Sequence, residues 1–139
     1  MTIAFTSVTL IDRPAEEVWS RLTDWEHAAG WLGVDSVAAD GPTAVGTRLR
    51  VHTRGTEQRS EITVLDPGRS VTLRSRQGGV TADYAYTVDP ADGGSRLTLV
   101  ADVAVRGAWV LAGPALRAVI RRTDQGQVDA LARELTSAN

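Results

Sequence analysis

Between Val34 and Val105 the sequence is cut into short stretches by turn signals, and this punctuation limits what the chain can fold into. Val34 to Ala39 ends at Asp40-Gly41-Pro42, and Gly46 to Thr53 alternates with Leu49, Val51 and Thr53 on one face and Arg48, Arg50 and His52 on the other. Gln58 to Leu65 closes at Asp66-Pro67-Gly68, and Ser70 to Arg76 passes through Gly78-Gly79 into Val80 to Val88. Paired glycines fit a tight hairpin because they accept positive φ. Pro90 to Gly94 reads as another turn before Ser95 to Val105. Thr2 to Ile11 adds a strand at the start, with both faces partly apolar. Seven strands with turns every 8 to 12 residues or so predict a meandering antiparallel sheet.

Two helical regions interrupt that pattern. Pro14 opens the first, since proline lacks the N–H that the first turn does not use. Glu16 and Glu17 suit its positive end, and Val18, Trp19 and Leu22 give it one apolar face. Thr23 and Glu26 have capping-box spacing and predict a second short helix over Asp24 to Ala29. The second region runs from Leu111 or Pro114 to Leu135, where Leu116, Ile120, Val128, Leu131 and Leu135 recur at helical intervals. Gly126 in its middle costs about 1 kcal/mol against alanine, which fits close approach of a ligand or strand, or drift. A strongly curved sheet has one economical arrangement with these parts: it wraps the long C-terminal helix while the short helices close one end.

The stretch DRPAEEVWSRLTDWEHAAGW resembles the START-like (SRPBCC) superfamily, which includes polyketide cyclases, lipid-transfer proteins and Bet v 1-like proteins. The resemblance rests on Asp12, Pro14, Glu16, Val18, Trp19, Leu22, Asp24 and Trp31, and the later turns follow in the family's order. It implies an α+β helix-grip fold, with about seven antiparallel strands around a long C-terminal helix and two short helices after the first strand. It implies one such domain over residues 1–139, enclosing a cavity for a small hydrophobic molecule. Two functions follow from it: binding of a lipid or polyketide-like metabolite, or cyclisation and dehydration of a poly-β-ketone in the same cavity. A protein-interaction module is a third use of the fold.

Composition removes other classes. There is no Cys, so thiol catalysis and thiolate metal sites are excluded. All 15 basic residues are Arg, which leaves no side-chain amine for a Schiff base. A net charge of −2 gives no reason to expect nucleic acid or an anionic membrane. The longest apolar run, Ala108 to Ile120, is too short to span a bilayer and holds an Arg. No secretory signal is visible, so a cytoplasmic location is expected. His27 and His52 are far apart and no ligand spacing is present, so neither a metal nor another cofactor is expected.

The candidate ligand-binding residues are Trp31, Val51, Tyr84, Tyr86, Trp109, Leu116, Ile120 and Thr123. Tyr84 and Tyr86 share the apolar face of their strand with Ala82 and Val88. A phenol there either fixes a ligand's oxygen or is a core group satisfied by backbone. Trp31 and Trp109 border the cavity entrance in a helix-grip protein, where they serve as flat walls for a planar ligand or as rim packing. Thr123 and Gln127 lie near the inner face of the last helix and imply a wet cavity or a helix edge. His52 shares its face with Arg48 and Arg50, so a solvated sheet face outweighs a general base. His27 reads as a surface or lid residue. No catalytic residue is assigned. Val8 and Leu10 on the first strand are the one hint of an apolar contact surface, for a homodimer or another partner.

Overall fold

The computed structural model describes residues 2–107 and 112–137. Strand β1 (Thr2–Ile11) leads into helix α1 (Ala15–Leu22), a 3-10 turn (Trp25–His27) and the one-turn helix α2 (Ala29–Leu32). Six strands follow: β2 (Ser36–Ala39), β3 (Arg48–Thr53), β4 (Thr56–Asp66), β5 (Ser70–Gln77), β6 (Val80–Ala91) and β7 (Gly94–Val105). Helices α3 (Gly113–Asp124) and α4 (Gln127–Ser137) end the chain. The sheet is antiparallel throughout, in the order β1-β7-β6-β5-β4-β3-β2, so only the pairing of β1 with β7 leaves sequence order. This is the expected helix-grip architecture.

Four local details differ from expectation. Thr23 closes α1 instead of opening a new helix: its hydroxyl donates to the Trp19 carbonyl at 2.9 Å, and no capping box forms. The segment after it therefore splits into the 3-10 turn and α2. The C-terminal helix is broken at Gln125-Gly126 into α3 and α4. Ser7 on β1 donates to the Gln125 carbonyl at 2.9 Å, satisfying an acceptor at the break. Strand β6 runs on through Pro90 to Ala91, so the hairpin turn to β7 is only Asp92-Gly93. Finally, β1 carries a register shift between Ile3 and Phe5. The shift turns both Ala4 and Phe5 inward, at 2% and 6% exposure, which is why simple alternation does not decide its inner face.

The core lies on the concave side of the sheet. Leu97, Leu99, Ala101 and Val103 line β7 toward it, with Val71, Leu73, Tyr86 and Val88 from β5 and β6. Val18 and Leu22 of α1 and Val128, Leu131 and Leu135 of α4 cover them. Arg21 and Glu134 clamp α1 to α4 at 2.5 Å. On the convex side Arg74 grips Asp83 through two hydrogen bonds of 2.7 Å, the cross-strand pairing expected of charges on that face.

Candidate functional site

Between the sheet and α3 the packing stops short of closing. A cavity of about 320 Å³ remains there. Its apolar wall comes from Leu49 and Val51 of β3, Leu73 of β5, Val80 and Ala82 of β6, and Leu116 and Ile120 of α3, with Leu32 and Val34 beside them. The alternation rule explains the sheet half of this lining, because each strand shows every second side chain to the concave face. Exposed Gln58 and Gln77 mark the open end, near two hairpin turns, and Ser60 and Ser75 bond each other at 2.8 Å across β4 and β5.

The opposite end is polar and is built from two cross-links. Tyr84 donates a short hydrogen bond to Asp124 Oδ2. Tyr86 donates to Gln127 Oε1 at 2.6 Å. The tyrosines are two apart on a strand, so both face inward. Asp124 and Gln127 are three apart and bracket the break between α3 and α4, so both face the sheet. Burial raises the Asp124 carboxyl above its ordinary range, against the opposing pull of the Tyr84 hydrogen bond. Burial also pushes both phenols well up, reinforced by the nearby Asp124 charge. At neutral pH the two tyrosines are therefore donors. Among the described residues Asp124 is the titratable group that lines this cavity, apart from the tyrosines and Arg59 near its mouth. Arg59 is on the alternate set of β4 and is exposed.

The sequence-predicted residues distribute as follows. Val51, Tyr84, Tyr86, Leu116 and Ile120 line the cavity. Trp31 does not. It is 2% exposed and packs edge-on against Tyr86 with ring centres 5.7 Å apart, because α2 packs against α4 and draws the indole behind the wall. Trp109 lies outside the described residues, and so does the side chain of Thr123. His27 is exposed and bonds Asp24 at 2.9 Å, and His52 is exposed 3.6 Å from Glu57, so neither lines the cavity. The tyrosine hydroxyls are satisfied by side chains and not by backbone.

Asp124 is the residue that sequence reasoning passed over. The signal was available: Leu116, Ile120 and Asp124 follow one another at steps of four, which keeps them on one helical face. Among the described residues no cluster of three or more His, Cys, Asp or Glu is placed to hold a metal. No described helix is long and apolar enough to cross a membrane.

The comparisons agree with this architecture. The family model described as "Polyketide cyclase / dehydrase and lipid transport" matches residues 2–136. The chain therefore belongs to that family, within the START-like superfamily. It is similar in fold to protein MLL2253 from Mesorhizobium loti, at 18% identity and a TM-score of 0.76 over 97% of this chain and 98% of that one. It is also similar to norcoclaurine synthase from Thalictrum flavum, solved with dopamine and hydroxybenzaldehyde, at 15% identity and a TM-score of 0.73 over 97% and 87% of the two chains. The di-domain ARO/CYC StfQ of the steffimycin biosynthetic pathway matches at 12% identity and a TM-score of 0.74, over 98% of this chain and 52% of that one. No curated protein sequence matches.

Proposed function

We propose that the chain binds a compact, mainly apolar molecule that carries a hydroxyl or carbonyl group, with its oxygen at Asp124 and Tyr84. One observation carries this reading: an apolar, open-ended cavity ends in a partly buried carboxyl held by a phenol. Its volume of about 320 Å³ is near the lower end of the roughly 300–1,000 Å³ usual for ligand sites, which favours a compact ring system over a long acyl chain. The apolar wall supplies affinity and the polar end fixes orientation.

The test uses 1-naphthol and naphthalene, which differ by one hydroxyl. Wild-type protein should prefer 1-naphthol by roughly 0.5–1.5 kcal/mol in a fluorescence titration. D124N and Y84F should erase the preference. Equal affinity in the wild type would remove the polar end from the site, and no binding of either probe would remove the cavity.

Asp124 also favours a second reading, a cyclase or dehydratase acting on a poly-β-ketone. Ring closure by aldol addition needs a base to take a proton from an acidic methylene and a donor at the carbonyl oxygen that becomes the new hydroxyl. Asp124 in its ionised form supplies the first role, and the Tyr84 hydroxyl supplies the second by turning its one proton from Asp124 to the substrate oxygen. A β-triketone model substrate should then cyclise faster with the wild type than with D124N, with comparable affinity for both. No acceleration by the wild type would leave binding alone.

A further inference from the structure

The convex face carries a feature that the cavity does not use. Arg50 stands opposite Arg59 in the β3–β4 pairing. Arg59 and Arg76 are the next residues out from the Ser60–Ser75 pair of β4 and β5. Three arginines thus share one row across three neighbouring strands, whose spacing is about 4.7–4.9 Å. Like charges placed opposite one another on a sheet are destabilising. The chain as a whole has 17 acidic against 15 basic residues, so the row does not follow from a basic composition.

Carboxylates neutralise only part of this face. Arg48 has Glu61 at 3.9 Å, Arg59 has Glu57 at 3.7 Å, and Arg74 has Asp83 at 2.7 Å. Among the described residues none lies within ion-pair distance of Arg76 or Arg106. Both residues line one groove of about 370 Å³, together with Arg74, Thr81 and the side-chain-free Gly78-Gly79 turn. The geometry is set by backbone: the Arg106 N–H donates to the Gly79 carbonyl at 2.7 Å and holds the end of β7 beside the hairpin.

We propose that this groove is an anion site for a phosphate group, held between Arg76 and Arg106 with the Thr81 hydroxyl at its floor. A carboxylate is satisfied by one guanidinium fork. A tetrahedral dianion has oxygens for two forks and a hydroxyl, the groups that Arg76, Arg106 and Thr81 carry. The site lies on the opposite face of the sheet from the cavity and does not depend on the function proposed for it. The phosphate belongs either to a soluble ester or to a phospholipid headgroup.

Two titrations separate these sources. In the first, inorganic phosphate is added to the labelled full chain at low salt, and amide shifts are followed by NMR. Saturable shifts confined to residues 76–81 and 106 are expected, with about tenfold weaker binding for R76Q/R106Q than for the wild type. R122Q, which removes a charge on α3 away from the groove, should bind like the wild type. In the second, sedimentation is measured with equimolar phosphatidylcholine–phosphatidic acid vesicles. Co-sedimentation that R76Q/R106Q loses assigns the headgroup; phosphate binding without co-sedimentation assigns a soluble ester. Shifts that are absent, spread over the whole surface, or equal in R76Q/R106Q overturn the site.

Discussion

On the proposed reading Asp124 fixes the ligand at the polar end of the cavity, and its proton is open to direct test. Burial raises its folded-state value above the ordinary 3.8. The folded chain therefore holds this proton more tightly than the unfolded chain does. Its contribution to stability is complete below 3.8 and fades as pH rises through the folded-state value. Urea denaturation from below that value to neutrality should show a fall in stability that D124N flattens; identical pH profiles would place the carboxyl in water. Tyr84 and Tyr86 act on the alkaline side. Both are raised above 10.0, so stability should fall once the unfolded chain's tyrosines ionise above that pH. Replacing both with Phe should weaken 1-naphthol binding by roughly 0.5–1.5 kcal/mol in calorimetry, and unchanged affinity would make both tyrosines structural. The tyrosines were legible in sequence because strand alternation is rigid. Asp124 was legible only through its step of four from Leu116 and Ile120, which fixes a helix face but not the groups that this face meets.

At the scale of elements, the strands were readable from parity and turn residues, while the helical breaks were not. The paired glycines and the Asp-Pro-Gly turn announce themselves through their chemistry. The end of α1 turned on which of two hydrogen bonds Thr23 makes, a choice that sequence spacing leaves open. The break before α4 turned on Gly126 and on the partner that Ser7 offers from a distant strand. Gly94 shows how tightly one junction is built. A Cβ there would lie 2.1 Å from the Ile11 carbonyl oxygen, where the start of β7 passes the end of β1. Backbone cannot yield as a side-chain tip does. G94A should therefore lose about 1–3 kcal/mol in urea denaturation, and an unchanged midpoint would show that the junction relaxes freely. Gly126 differs: among the described residues nothing stands within 4 Å of where its Cβ would be, so no strand approaches it closely.

For the molecule as a whole, a sheet wrapped on helices leaves two regimes on its concave side. Toward α4 the space is filled, with Leu99 and Leu131 both at 0% exposure. L99A should cost about 2–5 kcal/mol, as expected for a buried leucine whose site cannot collapse. Toward α3 the space is open, and L116A should cost far less stability while changing ligand affinity. The fold and the short-helix signature were legible because they rest on patterns many residues long. The polar end of the cavity was not, because it joins residues 40 positions apart in sequence. The most direct measurement is native mass spectrometry of gently desolvated protein, alone and mixed in turn with fatty acids, sterols and aromatic polyketides. The expected result is a one-to-one adduct with compact oxygenated aromatics, weaker in D124N and absent with long-chain fatty acids. No adduct from any class, or uptake that D124N leaves unchanged, would contradict a ligand site ending at Asp124.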